Sequence, residues 1–384
     1  MKNAYREKFM QEILLEKLER ERVLSRSEFI TLLRGRDEAL SGELYRRARR
    51  LREQYYGKDV YVRGLIEFTN YCKNDCYYCG IRASNRRLRR YRLTPEEILA
   101  CCRRGYELGY RTFVLQGGED MGYQPEEIAA LVEAVKRRHP DCAVTLSVGE
   151  HPRAVYQRWF DAGADRYLLR HETADNAHYR TLHPAPCSPE NRKRCLFDLK
   201  DIGYQTGCGF MVGSPGQTPE HLAEDLLFIH ELQPEMVGIG PFIPQRDTPF
   251  GDRHAGSFEL TLFLLGLIRV MLPDVLLPAT TALGTIHPQG LEAGMLAGAN
   301  VCMPNLTPDD VRKYYALYEG KDGGRGGTGA EDGRAVGDGE GRMKQEDALR
   351  SLEQRMERIG YRVAAGRGDC RRNSSARAVP ACLE

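Results

Sequence analysis

Eight repeats of a strand followed by a helix constrain the fold of this chain more than any other feature. Between Val60 and Leu306, short apolar runs alternate with amphipathic stretches of helical period, which is typical of parallel sheets with helical crossovers. The predicted strands are residues 60–68, 112–116, 143–148, 166–170, 205–212, 236–243, 275–280 and 301–304. Eight such units in about 250 residues match a closed (β/α)8 barrel of the TIM type. We therefore predict an α/β fold of this kind, with an open doubly wound sheet as the second choice.

Segments on both sides of the barrel complete the predicted layout. Residues 1–57 have the pattern of charged helices packed on the outside of a barrel formed by residues 58–319. Residues 320–341 hold ten glycines and almost no large apolar side chain, so 320–342 is predicted to be a flexible insertion. Residues 343–384 are predicted to form a C-terminal helix over 345–359 and a poorly ordered tail from Arg367 onward.

Charge and composition limit the partners of the chain. The 56 basic and 54 acidic side chains give a formal net charge of only +2, which provides no field to attract nucleic acid or an anionic membrane. No apolar run approaches the ~20 residues of a spanning helix. Twelve cysteines, if kept as thiols, suit a reducing compartment. We expect a cytoplasmic protein with neither nucleic acid nor membrane as a partner.

Three closely spaced cysteines carry the main chemical signal. Cys72, Cys76 and Cys79 follow the first predicted strand in a C-x3-C-x2-C pattern. Thiolates hold iron-sulfur clusters, and three of them leave one iron of a four-iron cluster without a protein ligand. An open iron can bind and reduce a substrate, so the pattern predicts chemistry in addition to electron transfer. Zinc is a weaker fit because no second cysteine pair follows, and reactive thiols are the other alternative.

The trio, with Tyr78 before its last cysteine, resembles the radical S-adenosylmethionine (SAM) superfamily. In that family three cysteines hold a 4Fe-4S cluster, and SAM chelates the fourth iron and is cleaved to a 5′-deoxyadenosyl radical. A closer resemblance, from about residue 60 to 318, is to the HydE-type enzymes of FeFe-hydrogenase maturation. It depends on residues 147–150, 164–174, 211–218, 237–244, 278–282 and 300–308. Biotin synthase-like enzymes are the alternative, and a non-catalytic iron-sulfur carrier is an alternative of a different class.

The resemblance also implies roles for side chains at the carboxyl ends of the strands. For SAM it implies that Tyr78 faces the adenine, that Glu119 accepts from the methionyl amine, that Glu172 holds the ribose and that Arg192 pairs with the carboxylate. The other implied SAM contacts are Gln116, Gly118, Thr145 and Met211. The implied substrate contacts are Arg170, Thr280, Thr281, Met303, Tyr315 and Tyr318. Ordinary core packing accounts almost equally well for Thr145 and Met211, and an aromatic pair such as Tyr315 and Tyr318 is more often core.

Partners follow from the same resemblance. The family implies a small organometallic substrate, an iron-carbonyl-cyanide-cysteine precursor, and other hydrogenase maturation proteins as partners. A basic cluster, defined here as Arg82, Arg86, Arg87, Arg89, Arg90 and Arg92, follows the cysteines and predicts docking of an acidic flavodoxin or ferredoxin. A merely solvated basic loop is an equally good interpretation. Some maturases of the type that the chain resembles carry a second iron-sulfur site from cysteines shortly after the last tyrosine. Since residues 320–341 contain no cysteine, the resemblance implies no second cluster here, and we expect Cys370 and Cys382 to be free thiols.

Overall fold

The computed structural model describes residues 2–318, 320 and 338–372. Most of the predicted insertion at 320–342, the end of the tail and Cys382 therefore lie outside the described residues. Within the described part of the chain, none of the helices combines the length and the apolar character needed to cross a membrane.

Three helices precede the sheet. They are α1 (Lys2–Glu21), α2 (Arg26–Arg34) and α3 (Glu38–Tyr56). Helix α2 begins after Ser25 in a capping box with Glu28, and α3 begins after Asp37, whose carboxylate accepts from the Leu40 amide. These caps satisfy amides that have no partner inside the helix. Buried residues such as Leu44 on one face of α3 then join the main hydrophobic core.

The remaining elements alternate strands and helices. The strands are β1 (Asp59–Val62), β2 (Gly64–Thr69), β3 (Thr112–Gly117), β4 (Ala143–Ser147), β5 (Arg166–Leu168), β6 (Gln205–Cys208), β7 (Met211–Val212), β8 (Met236–Val237), β9 (Gly240–Pro241), β10 (Val301–Cys302) and β11 (Arg362–Ala364). The helices are α4 (Pro95–Glu107), α5 (Pro125–Arg138), α6 (Arg153–Asp161), α7 (Asn176–Leu182), α8 (Pro189–Ile202), α9 (Pro219–Leu232), α10 (Phe258–Met271), α11 (Thr281–Ile286), α12 (Gly290–Leu296), α13 (Asp309–Arg312) and α14 (Asp338–Arg358).

Strand pairing is parallel throughout these strands. Six strands form one sheet in the order β2-β3-β4-β5-β6-β8, β1 pairs with β10 and β11, and β7 pairs with β9. Single-residue bridges continue the parallel pairing from Met236 to Leu276, from Pro278 to Val301 and from Leu65 to Asn305. The architecture is therefore α/β, with helices between parallel strands, as the alternating pattern predicts.

Three of the predicted strands are interrupted and one is replaced by isolated bridges. The predicted strand 60–68 breaks at Arg63, because β1 pairs with β10 whereas β2 pairs with β3. The predicted strand 205–212 divides into β6 and β7 at Gly209, where a Cβ atom would lie 2.0 Å from the Gly238 carbonyl oxygen. Residues 236–243 divide into β8 and β9, and residues 275–280 contribute only the bridges at Leu276 and Pro278.

The C-terminal segment packs back onto the amino ends of the strands. Helix α14 covers the predicted helix, and β11 then adds a strand beside β1. Beyond it, Asp369 lies 2.7 Å from the guanidinium of Arg166, a side chain with no exposed surface, and Arg367 pairs with Asp165 at 2.7 Å. The prediction of a poorly ordered tail is wrong for residues 367–372, because its charges meet partners that only the folded sheet brings together. Cys370 is a free thiol, as predicted.

Candidate active site

A cavity of about 340 Å³ lies against the carboxyl ends of the strands. Every residue predicted for the cluster, for SAM or for the substrate lies on its wall. The cluster and SAM candidates there are Cys72, Cys76, Cys79, Tyr78, Gln116, Gly118, Glu119, Thr145, Glu172, Arg192 and Met211. The substrate candidates are Arg170, Thr280, Thr281, Met303, Tyr315 and Tyr318. The structure thus brings all of the predicted residues together, while their individual roles stay predictions.

The three cysteines stand half-buried in the loop that follows β2. Backbone hydrogen bonds fix this loop on two sides: the Lys73 amide donates to the Glu119 carbonyl at 2.9 Å, and the Tyr77 amide donates to the Leu182 carbonyl at 3.0 Å. Burial raises the pKa of Cys79 to about 12. The loop is therefore held by the end of β3 and by the end of α7.

Glycine at position 118 permits the close contact between the β3 loop and the cysteine loop. A Cβ atom on Gly118 would lie 2.2 Å from the Tyr71 carbonyl oxygen and 2.7 Å from the Cys72 Cβ. Real Cβ atoms do not approach backbone this closely, so a larger residue would push the cysteine loop away.

Glu119 and Arg192 belong to one charged network at the cavity wall. Glu119 lies 3.2 Å from the Lys73 ammonium and accepts from the Glu150 amide at 3.0 Å. The carboxylate of Glu150 lies 2.5 Å from Nε of the buried Arg192. Sequence reasoning singled out Arg192 but missed Glu150 as its counter-ion. A ligand carboxylate must therefore share the Arg192 guanidinium with Glu150.

Arg170 and Glu172 pair with each other across the cavity wall. Nη2 of Arg170 lies 3.1 Å from Oε2 of Glu172. The two charges at the end of this buried strand therefore bind each other, which is one of the two outcomes that the cost of burying them allows. Glu172 has a φ of +66°, in the left-handed region that a side chain other than glycine rarely adopts.

Tyr78 is held by a histidine that the sequence did not single out. Its hydroxyl lies 3.0 Å from Nε2 of His183, and Nδ1 of His183 lies 3.0 Å from the Tyr179 carbonyl oxygen. Burial lowers the pKa of His183 to about 3, so the ring is neutral. Because a carbonyl only accepts, Nδ1 donates to it and Nε2 accepts from the Tyr78 hydroxyl.

Arg63 is a further candidate functional residue that the sequence analysis missed. It is buried at the break between β1 and β2 and lines the cavity. Its Nε and Nη2 atoms have no hydrogen-bond partner among the described residues. Burial, together with the neighbouring Arg166 charge, lowers its pKa well below the usual value. The sequence did contain a signal for Arg63, namely an arginine inside a predicted apolar strand. The same kind of signal led to the prediction of Arg170.

Most of the basic cluster is engaged within the chain. Arg82 pairs with Asp75, Arg87 with Asp247 and Arg92 with Asp120, Arg89 donates to the Tyr314 hydroxyl, and Arg90 donates to the carbonyls of Ile81 and Arg82. Arg86, Arg87, Arg89 and Arg92 are nevertheless exposed. The surface available to a partner is therefore smaller than the sequence pattern indicates.

Within the described residues, no group of three or more His, Cys, Asp or Glu side chains is gathered as it would be around a metal ion. The argument for a cluster therefore depends on the cysteine motif and on relatives of the chain. The family model "Radical SAM superfamily" matches residues 66–229. The [FeFe] hydrogenase maturase subunit HydE of Thermotoga maritima is 49% identical over 308 residues, which cover 80% of this chain and 87% of that protein. The chain belongs to the radical SAM superfamily and is of the HydE type.

Methylornithine synthases are similar at lower identity. The 3-methylornithine synthase of Methanosarcina barkeri is 31% identical over 278 residues, which cover 72% of this chain and 78% of that protein. A crystal structure of methylornithine synthase aligns with a TM-score of 0.73 and 27% identity, covering 91% of this chain and 97% of that one. The family resemblance stated from the sequence is thus confirmed, and the chain is a radical SAM enzyme.

Proposed function

We propose that this enzyme acts in the assembly of the diiron subcluster of FeFe hydrogenase. The observation that carries the proposal is the 49% identity to the HydE maturase across 80% of the chain. The identity to 3-methylornithine synthase is only 31%, which makes that reaction type the weaker candidate.

The proposal includes closure of the parallel strands into a (β/α)8 barrel formed by residues 58–319. Support comes from the bridges that join Met236 to Leu276, Pro278 to Val301 and Leu65 to Asn305, since they link β8 by way of residues 276–278 and 301–305 to β2. A closed barrel suits a reaction in which water must be excluded from the cavity.

The thiols of Cys72, Cys76 and Cys79 are the proposed ligands of a 4Fe-4S cluster. The three thiols line one cavity and are the donor type that such a cluster takes, and the glycine at 118 keeps the neighbouring loop clear of a side chain. When bound, the cluster supplies the electron that cleaves SAM to the 5′-deoxyadenosyl radical. The chain itself contributes binding, orientation and exclusion of water.

The side chains beside the cysteines are proposed to orient SAM. Glu119 accepts from the methionyl amine, Arg192 pairs with the carboxylate, Glu172 accepts from the ribose hydroxyls and Tyr78 faces the adenine. The buried positions of Glu119 and Arg192 support these assignments because charge-assisted hydrogen bonds are stronger away from water. Gln116, Thr145 and Met211 complete this part of the wall.

A compact anion is the substrate that the deep part of the cavity fits best, in line with an iron-carbonyl-cyanide-cysteine precursor. Nε and Nη2 of the Arg63 guanidinium have no hydrogen-bond partner among the described residues, and the Thr280 hydroxyl has none either. Buried donors of this kind cost free energy unless a ligand satisfies them. The cavity volume of about 340 Å³ is near the lower end of small-molecule sites.

An acidic flavodoxin or ferredoxin is the proposed reductant, docking at the exposed Arg86, Arg87 and Arg89. Reversing these three charges should slow reduction by the protein donor at low salt and leave reduction by dithionite unchanged. Equal rates for the wild type and the reversed variant would contradict this docking site.

Two assays test the function. Anaerobic reconstitution followed by reduction with SAM should release 5′-deoxyadenosine, and Cys76→Ala should abolish the release. Added to apo-FeFe hydrogenase and the other maturation proteins without their HydE component, the wild-type chain should restore hydrogenase activity. Release of 5′-deoxyadenosine without that restoration would favour a biotin synthase-like or methylornithine synthase-like reaction. No release, with a cluster unperturbed by SAM, would favour an iron-sulfur carrier.

A further inference from the structure

Glu172 holds a backbone conformation that requires support from its surroundings. It is one of only three non-glycine residues with a positive φ in the described chain, and such residues persist only where neighbouring structure fixes them. Its amide donates to the Gly209 carbonyl at 3.0 Å, and its carbonyl accepts from the Met211 amide at 3.3 Å. Strand β7 and the residues before it therefore hold the Glu172 backbone on one side.

A buried histidine and a buried aspartate hold the residues on either side of Glu172. Nδ1 of His171 accepts from the Gly209 amide at 3.3 Å, and Nε2 lies 3.3 Å from Oδ1 of Asp225 on α9. The same Asp225 oxygen accepts from the Ala174 amide at 2.6 Å. Asp225 is thus connected to the residue before Glu172 through the imidazole and to the chain after it directly.

The proton positions in this arrangement are determined by the Gly209 amide. Because an amide only donates, Nδ1 of His171 is the acceptor and the hydrogen of the neutral ring is on Nε2. Nε2 lies 3.3 Å from Asp225 Oδ1 but has no well-formed hydrogen bond among the described residues. The imidazole cannot exchange its two roles without losing one of these contacts. The ring also lies between Phe210 and Phe228, with centroid distances of 5.9 and 4.9 Å, so it has little freedom to turn.

Such a pair is expensive to bury, and packing alone does not require it. His171 is 1% exposed and Asp225 is fully buried, and Oδ2 of Asp225 has no hydrogen-bond partner among the described residues. An apolar pair would fill the same space without the desolvation penalty. The polar pair is therefore explained by what it positions.

We propose that His171 and Asp225 are positioning residues that fix the left-handed turn at Glu172 and so aim its carboxylate at the ribose of SAM. The inference rests on the proposed SAM site. Glu172 touches the ligand in this scheme, whereas His171 and Asp225 act only through it. The chemical class recognised is the vicinal diol of a nucleoside, which a carboxylate can accept from in a bidentate manner.

The test is a double-mutant cycle on the cluster-loaded protein, read as SAM affinity. SAM is titrated anaerobically and binding is followed by the change in the electron paramagnetic resonance spectrum of the reduced cluster. Asp225→Ala should weaken SAM binding about tenfold. In the Glu172→Ala background, Asp225→Ala should weaken SAM binding by less than about twofold, because the carboxylate that Asp225 positions is gone. Asp225→Asn keeps an oxygen that accepts from the Ala174 amide and keeps the contact with His171, so it should bind SAM nearly as the wild type does.

A second variant keeps the test independent of folding. His171→Phe retains a ring between Phe210 and Phe228 but removes both nitrogens, and it should weaken SAM binding as much as Asp225→Ala. Iron content and melting temperature are measured for each variant. The positioning role would be overturned if Asp225→Ala weakened SAM binding equally in the wild-type and Glu172→Ala backgrounds. If Asp225→Ala does not fold, the same comparison is made with His171→Phe. Failure of the wild-type protein to bind SAM would instead overturn the proposed function.

Discussion

The pair between Arg166 and Asp369 gives the sharpest stability prediction. Arg166 lies in β5 with its side chain fully buried, and Asp369 lies 2.7 Å away in the C-terminal segment. Asp369 also accepts from Gln205 at 2.8 Å. Replacing Asp369 by Ala leaves the buried guanidinium with the Thr112 hydroxyl and the Arg367 carbonyl as its remaining partners. We expect the variant to be destabilised.

The size of the effect follows from burial on the two sides of the pair. Removing one member of a buried ion pair costs about 3–5 kcal/mol. The Asp369 side chain is 43% exposed, so water screens part of the interaction, and we expect a loss of about 2 kcal/mol. For a chain of this size that corresponds to a fall in melting temperature of roughly 2–3 °C. Asp347→Ala, at an exposed position of α14, is the matched control and should change the melting temperature by less than ~1 °C.

The same pair predicts a pH dependence. Burial alone would raise the pKa of Asp369, but the Arg166 charge and the hydrogen bonds from Gln205 and Arg166 lower it to about 2. Because the folded-state pKa is below the unfolded value of about 3.9, the stabilisation is complete above that value and is lost as the pH falls toward 2. The difference between the wild type and Asp369→Ala should therefore shrink between about pH 4 and pH 2. Melting temperatures equal within ~1 °C at pH 7 would refute the reasoning.

Three further predictions concern the cavity. Replacing Cys72, Cys76 and Cys79 by Ala should reduce the iron content after reconstitution from about four per chain to nearly none. Gly118→Ala should lower the free energy of unfolding by about 1–3 kcal/mol and reduce cluster occupancy, because the added methyl group displaces the cysteine loop. Gly284→Ala is the control and should leave cluster occupancy unchanged, since nothing lies within 4 Å of the added Cβ. The iron content of the two variants after reconstitution is the measurement. Arg63→Met should raise the melting temperature by removing an unpaired buried charge and abolish turnover of an anionic substrate; a lower melting temperature would contradict that interpretation.

Local periodicity was sufficient to predict the continuous strands but not their interruptions. Strand β3 pairs along its length with both β2 and β4, and the apolar runs of β3 and β4 match the observed bounds closely. The break at Arg63 reflects a change of pairing partner between β1 and β2, and the division at Gly209 reflects the approach of Gly238. These partners lie far away in the sequence, and no local pattern identifies them.

The site was predictable where a strand end and a family motif coincide. The cysteine loop and the glycine at 118 lie directly after β2 and β3, where a parallel sheet of this type carries its ligands. The residues that support the site were missed because each acts through a partner distant in sequence: Glu150 through Arg192, His183 through Tyr78, and Asp225 through His171.

Strand β11 pairs with β1, which joins residues 362–364 to residues 59–61. Two segments some three hundred residues apart must therefore meet before the sheet that contains β1 is complete. During translation, β1 leaves the ribosome long before β11 has been made, so the edge of β1 that pairs with β11 stays open until then. Long-range pairing of this kind is slow, and the strand edge remains unpaired until its partner strand is available. A segment inserted directly before β11 would delay this pairing further, because it lengthens the chain that must be made before β11.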